Sequence, residues 1–411
     1  MQSRHTPRAE LMSSELRLQT EHTGSGRQRR MSCFGFKDLR PGVTSSMANN
    51  TSALSREQAI RGGVASKSGG RVHAKAQSTQ RAQRKGRTSA LLILVLSGTI
   101  LLLSAMESRF TPPTRAQQLA AIGLTAALPQ PLQRALEPRE DFQPVPEPGP
   151  SDWLANHPEV GQTFEQFTRA LPNRPDNHRS KLYLQPLGAF NESDAPSLDL
   201  LRGFTAAFFM MEVVVLPPAD LAQDHITSRR NPWTGQRQLL TSDILDALQA
   251  RLPKDAFVLL GITMTDLYPD PSWNFVFGQA SPEQRVGVYS FARYDPRFYG
   301  LAPTADTRKL MLRRSCKVLA HETCHMFGIE HCVWFRCLMN GSNHLTESDA
   351  RPLHLCPVDL RKLQWSIGFD VVERYRRLRK FHREEGFEDE AQWLEKRLRF
   401  IAPHSWNKDM R

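Results

Sequence analysis

The sequence predicts a mixed α/β domain, with a mixed sheet and a functional helix, from three observations. Residues 256–263 (Ala-Phe-Val-Leu-Leu-Gly-Ile-Thr) form a nearly continuous apolar run, as a strand buried on both faces requires. Strand-like and helix-like stretches alternate on either side of that run. His321 and His325 sit one helical turn apart inside a helical stretch, Met311 to Phe327.

The elements follow in order. Lys181 to Leu187 and Glu212 to Leu216 read as strands around a helical stretch from Leu198 to Met211, and Asp243 to Leu252 reads as a helix. Val286 to Arg293 alternates loosely and is placed as the antiparallel edge strand, just ahead of the helix that carries the histidines. Such an edge could pair with an extended peptide. Pro357 opens a last long helix to about Lys380. The charged tail from His382 to Arg411 reads as an amphipathic surface helix.

Charge separates the flanks from the domain. The first 89 residues carry 17 Lys and Arg against 5 Asp and Glu, which accounts for the whole net charge of +12. The rest of the chain is balanced, so nothing calls for a nucleic-acid partner. Residues 1–89 are rich in Arg, Ser, Gly and Gln and are expected to be a disordered basic extension. Residues 90–106 are uncharged and follow Arg81, Arg84, Lys85 and Arg87; they are expected to form a transmembrane anchor at the short limit of spanning length. Pro144, Pro146, Pro148 and Pro150 mark residues 107–150 as an extended linker. The domain is expected over 151–380, with 381–411 as a charged helix or tail.

Five of the six cysteines (Cys33, Cys316, Cys324, Cys332, Cys337, Cys356) fall within 41 residues of one another, around a His-rich motif. That is the distribution of a metal site and points to a reducing compartment. The motif runs His321-Glu322-Thr323-Cys324-His325-Met326-Phe327-Gly328-Ile329-Glu330-His331. On a helix, His321 and His325 share a face and reach one metal ion. Gly328 can take a positive φ, turn the chain and deliver His331 as third ligand. Three neutral ligands suit a zinc ion with an open coordination position. Glu322, beside His321, can then take a proton from a zinc-bound water that attacks a peptide carbonyl. Two other readings compete: a scaffold whose zinc is structural only, and a membrane-tethered adaptor acting through the basic extension. An unliganded carboxylate at Glu322 favours the enzyme. Neither a P-loop nor a carboxylate-rich metal cluster is visible, so phosphatase or nuclease chemistry is not expected.

Beyond His331 the chain continues with Cys332, then Val-Trp-Phe-Arg, Cys337-Leu338-Met339 and, after 16 intervening residues, Cys356-Pro357. With this continuation it resembles the archaemetzincins, zinc metallopeptidases of the metzincin clan. The resemblance extends to Ser151-Asp152-Trp153, Gly261–Met264, Ser272–Ala280, Ser290–Tyr294 and Gly368-Phe369, hence over about residues 151–380. It implies a metzincin-like zincin fold, peptide or protein substrates and aminopeptidase-like cleavage. It also implies Met339 as the methionine beneath the three imidazoles, and Cys332, Cys337 and Cys356 as ligands of a second, structural zinc. Where the family ends that site in Cys-x-x-Cys, this chain reads Cys356-Pro357-Val358-Asp359. Asp359 either completes the tetrahedron through an oxygen or is an acid favoured in the first turn of a helix. Asn340 and Asn191 begin glycosylation sequons. A glycan beside Met339, or disulfides among the site cysteines, would damage the site. The catalytic domain is therefore expected in the cytoplasm, made without the anchor or with it inserted in the opposite orientation.

Overall fold

The computed structural model describes residues 31–37, 110–191, 193–220 and 225–403. One mixed sheet of nine strands organises them: β1 (Met31–Lys37), β2 (Lys181–Leu187), β3 (Glu212–Val215), β4 (Ser228–Arg230), β5 (Arg237–Leu240), β6 (Ala256–Thr263), β7 (Asp266–Tyr268), β8 (Trp273–Ser281) and β9 (Val286–Ser290). Their order is β3-β2-β6-β9-β8-β7-β5-β4, with β1 on β8. β3, β2, β6 and β9 run parallel, and β8 is antiparallel to β9. As its apolar run requires, β6 is buried along its whole length. Val258, Leu260 and Ile262 join the core with helices α5 (Leu198–Phe209) and α7 (Thr307–Met326), whereas Leu259 joins a second cluster with α6 (Thr241–Ala250). The sheet is thus covered on both faces.

Several expectations change. Val286 to Arg293 is not the edge: β9 lies between β6 and β8, all five of its residues are buried, and residues 292–294 form a 3-10 turn. Loose alternation suggested one wet face, but helices cover both. β8 takes the antiparallel place instead, and its residues 278–280 pair with β9 on one side and β1 on the other. That pairing puts Met31–Lys37, within the extension expected to be disordered, in a strand. The segment 90–106 lies outside the described residues. Among those that are described, no helix is long and apolar enough to cross a membrane.

Residues 107–150 are not a simple spacer. Thr114 and Gln117 form a capping box that starts α1 (Arg115–Ile122), and α2 (Gln130–Leu136) follows. Both sink apolar side chains, Ala121, Ile122, Leu132 and Leu136, into the main core. Beyond the short helices α3 (Trp153–Asn156), α4 (Phe164–Arg169) and α8 (Leu345–Ala350), the expected long C-terminal helix is two: α9 (Pro357–Ile367) and α10 (Val371–Glu384). Gly368, left-handed at φ 82°, ends the first, and the Asp370 side chain caps the second. The charged tail contains α11 (Glu388–Ile401), whose Ala391, Leu394, Leu398 and Ile401 are buried against α2 and α10. This helix is part of the core and not a surface appendage.

Candidate metal centres

The last two turns of α7 carry His321, Glu322 and His325, all essentially inaccessible to solvent. A Schellman turn closes the helix: Gly328, at φ 79°, donates its N–H to His325 O at 2.8 Å, and Ile329 N–H reaches Cys324 O at 3.3 Å. The turn orients the second ligand as well, because His325 Nδ1 lies 2.6 Å from Ile329 O. His321 Nδ1 likewise faces Leu338 O at 2.8 Å. A carbonyl can only accept, so each Nδ1 carries the proton and each Nε2 presents a lone pair. Burial holds His325 down to about 3 and His321 well below the usual histidine range, which keeps both rings neutral. Their Nε2 atoms are 3.1 Å apart, a separation at which two lone pairs repel unless a cation lies between them.

His331 completes the convergence, with its ring centroid 5.4 Å from His321 and 5.1 Å from His325. Its Nε2 is buried without a hydrogen-bond partner among the described residues, and the three ligand nitrogens lie within 4.8 Å of one another. This donor set fits a zinc ion with an open fourth position. Met339, fully buried, belongs to the turn that supplies Leu338 O beneath His321, and its own carbonyl accepts from Cys332 N at 2.8 Å. Arg351 fastens the same turn, donating to Leu338 O at 3.3 Å and to Asn340 O.

Cys332, Cys337, Cys356 and Asp359 form a second buried cluster, their ligand atoms also within 4.8 Å of one another. Cys332 and Cys356 sulfurs are 3.5 Å apart, and Asp359 Oδ2 is 3.3 Å from the sulfurs of Cys337 and Cys356. Asp359 Oδ1 turns away to accept from Lys362 Nζ at 2.9 Å, a pair with almost no solvent contact. Burial, followed by the Cys332 thiol, pushes Asp359 up to about 7 against the pull of Lys362. Burial alone would raise Cys337, but hydrogen bonds from Cys332 and Cys356 outweigh it and bring that thiol down to about 6. One carboxyl oxygen of Asp359 thus faces the thiols while the other faces Lys362. Cys316 and Cys324 are buried thiols outside both clusters.

Three participants were absent from the sequence reading. Lys362 stands three residues after Asp359 on α9, a spacing legible in hindsight. Arg351 and Glu159 were not: Glu159 Oε1 accepts from His331 Nδ1 at 2.8 Å across 172 positions of chain.

A mixed sheet backing a helix that supplies two of three convergent imidazoles and a buried glutamate defines a zinc metallopeptidase. Residues 215–365 match the model of peptidase family M54. Over 275 residues the chain is 41% identical to Archaemetzincin-2 of Macaca fascicularis, covering 60% of this chain and 76% of that protein. Over 254 residues it is 37% identical to Archaemetzincin-1 of Homo sapiens, covering 55% and 51%. The crystal structure of archaemetzincin from Archaeoglobus fulgidus is similar to 44% of this chain and 99% of its own, at 30% identity and a TM-score of 0.34. The chain belongs to the archaemetzincin family.

Proposed function

We propose that this chain hydrolyses peptide bonds at one zinc ion held by His321, His325 and His331, with Glu322 as the base. The observation that carries the reading is the convergence of three imidazole Nε2 atoms whose Nδ1 partners are all acceptors. When bound, zinc supplies Lewis-acid polarisation of the scissile carbonyl and lowers the pKa of a coordinated water. Glu322, one position after His321, takes the proton from the attacking water and returns it to the leaving amine. Cys332, Cys337, Cys356 and Asp359 hold a second, structural zinc, which ties the chain after His331 to the start of α9.

Glu322→Gln preserves size and removes the base. This variant is expected to keep its metal while turnover of a diverse peptide library falls by roughly 10²–10⁴-fold. Undiminished turnover in a protease-free preparation would exclude Glu322 from the chemistry. Aminopeptidase-like cleavage rests on the family resemblance alone. It requires that single residues leave unblocked peptides and that N-acetylated ones resist, so cleavage of blocked peptides at internal bonds makes the enzyme an endopeptidase.

A further inference from the structure

We infer that Glu159 is the positioning residue of the third zinc ligand and thereby sets the affinity of the catalytic metal site; the inference rests on the zinc reading above. His321 and His325 are oriented by neutral backbone carbonyls, at Leu338 and Ile329. His331 alone is oriented by a carboxylate, and that carboxylate comes from outside the motif. Oε1 of Glu159 accepts both from His331 Nδ1 at 2.8 Å and from Trp153 Nε1 at 2.9 Å. Oε2 is buried with no hydrogen-bond partner among the described residues, so the whole polar investment of this side chain is at the oxygen that faces the imidazole. The proton is held on Nδ1, which leaves the Nε2 lone pair for the metal and strengthens it as a donor.

The segment that carries Glu159 is seated against the metal-site loops. The Trp153 ring lies over Gly341, where an added Cβ would fall 2.3 Å from Trp153 Cδ1. Trp153 N–H donates to Glu347 Oε1 at 2.8 Å, and its ring stands edge-on to His331 at 5.0 Å and stacks on His157 at 3.9 Å. The N–H donors of His331 and Trp153 converge on the one oxygen, Oε1, so the side chain serves as the acceptor that orients the ligand ring.

The test is zinc affinity of the full chain, measured by competition with a chromophoric chelator, in E159L and E159Q. Leucine removes the acceptor, and a loss of about 10–100-fold at the histidine site is expected. Glutamine keeps size and an acceptor oxygen but removes the charge, so a several-fold loss is expected. In the Co(II)-substituted protein the d–d bands of the histidine site should change, whereas thiolate-to-cobalt charge transfer from the cysteine cluster should not. Wild-type affinity and unchanged d–d bands in E159L overturn the inference. Should E159L fail to fold, wild-type affinity in E159Q overturns it instead. A wild-type protein that takes up no metal at its histidines is a different result, and it removes the zinc reading itself.

Discussion

Asp359 shows how much one substitution at a metal site depends on its neighbours. A carboxylate presents one oxygen to a metal where a thiolate presents a larger, softer sulfur, and zinc accepts both. Here Lys362 occupies the other oxygen, which fixes the carboxyl plane and draws electron density away from the oxygen facing Cys337 and Cys356. The proposed second site should therefore hold zinc less tightly than the first. Asp359→Cys is expected to tighten it, because the thiolate restores a fourth sulfur. Chelator competition reads the change directly, and an unchanged affinity would show that Asp359 does not limit this site.

At the scale of elements, the helices ahead of the motif support it from below. α1 and α2 pack on α9, the helix that begins with Cys356 as its N-cap residue and carries Asp359. Arg361 of α9 donates to Ile122 O and, at 2.7 Å, to Leu124 O, so the end of α1 is latched to the metal-site helix. On the other side, Glu390 of α11 accepts from Leu353 N at 2.7 Å and lies 3.0 Å from His354 Nδ1, which steadies the approach to Cys356. Burying a large aliphatic or aromatic side chain contributes about 1.5–3 kcal/mol. Ile122, Leu132, Leu136 and Phe142 together then contribute roughly 6–12 kcal/mol, comparable to the whole stability of a typical domain. A chain that starts at residue 151, where the proline run suggested the boundary, is expected to unfold or aggregate, and one that starts at residue 110 to remain folded. Urea denaturation followed by circular dichroism compares the two. Equal midpoints would mean that α1 and α2 are dispensable.

For the whole molecule, compartment turns on the cysteines and on the two sequons. Cys316, Cys324, Cys332, Cys337 and Cys356 are free thiols, three of them within the proposed structural site. Asn340, the first residue of a sequon, is buried: its amide donates to Cys332 O at 2.7 Å and Phe335 O at 2.9 Å, while its Oδ1 accepts from Cys337 N at 2.7 Å. A glycan there would break the loop that joins both metal sites. Asn191, by contrast, is exposed. A cytoplasmic catalytic domain, as expected from the sequence, leaves both sequons unmodified. Full-length protein expressed in cells is accordingly expected to show no glycosidase-sensitive mass shift. A shift abolished by Asn191→Gln would place the domain in the secretory lumen.

The sequence by itself determined the mixed α/β class and the helix and turn of the histidine motif. These are local: a helix places residues i and i+4 on one face, and Gly328 permits the turn to His331 wherever the helix lies. The family's pattern beyond His331 was legible through Cys332, Cys337, Met339 and Cys356 as a resemblance, whereas Asp359 stayed open between two readings. What only the tertiary structure decided was which strand lies at an edge, whether α1, α2 and α11 join the core, and which side chains orient the ligands. β9 and a true edge strand share a similar pattern of apolar residues, and the difference is whether a neighbour covers them. Arg351 and Glu159 look like ordinary surface charges in sequence. They become part of the site because packing removes water from around them, and a buried charge must find a partner across the fold.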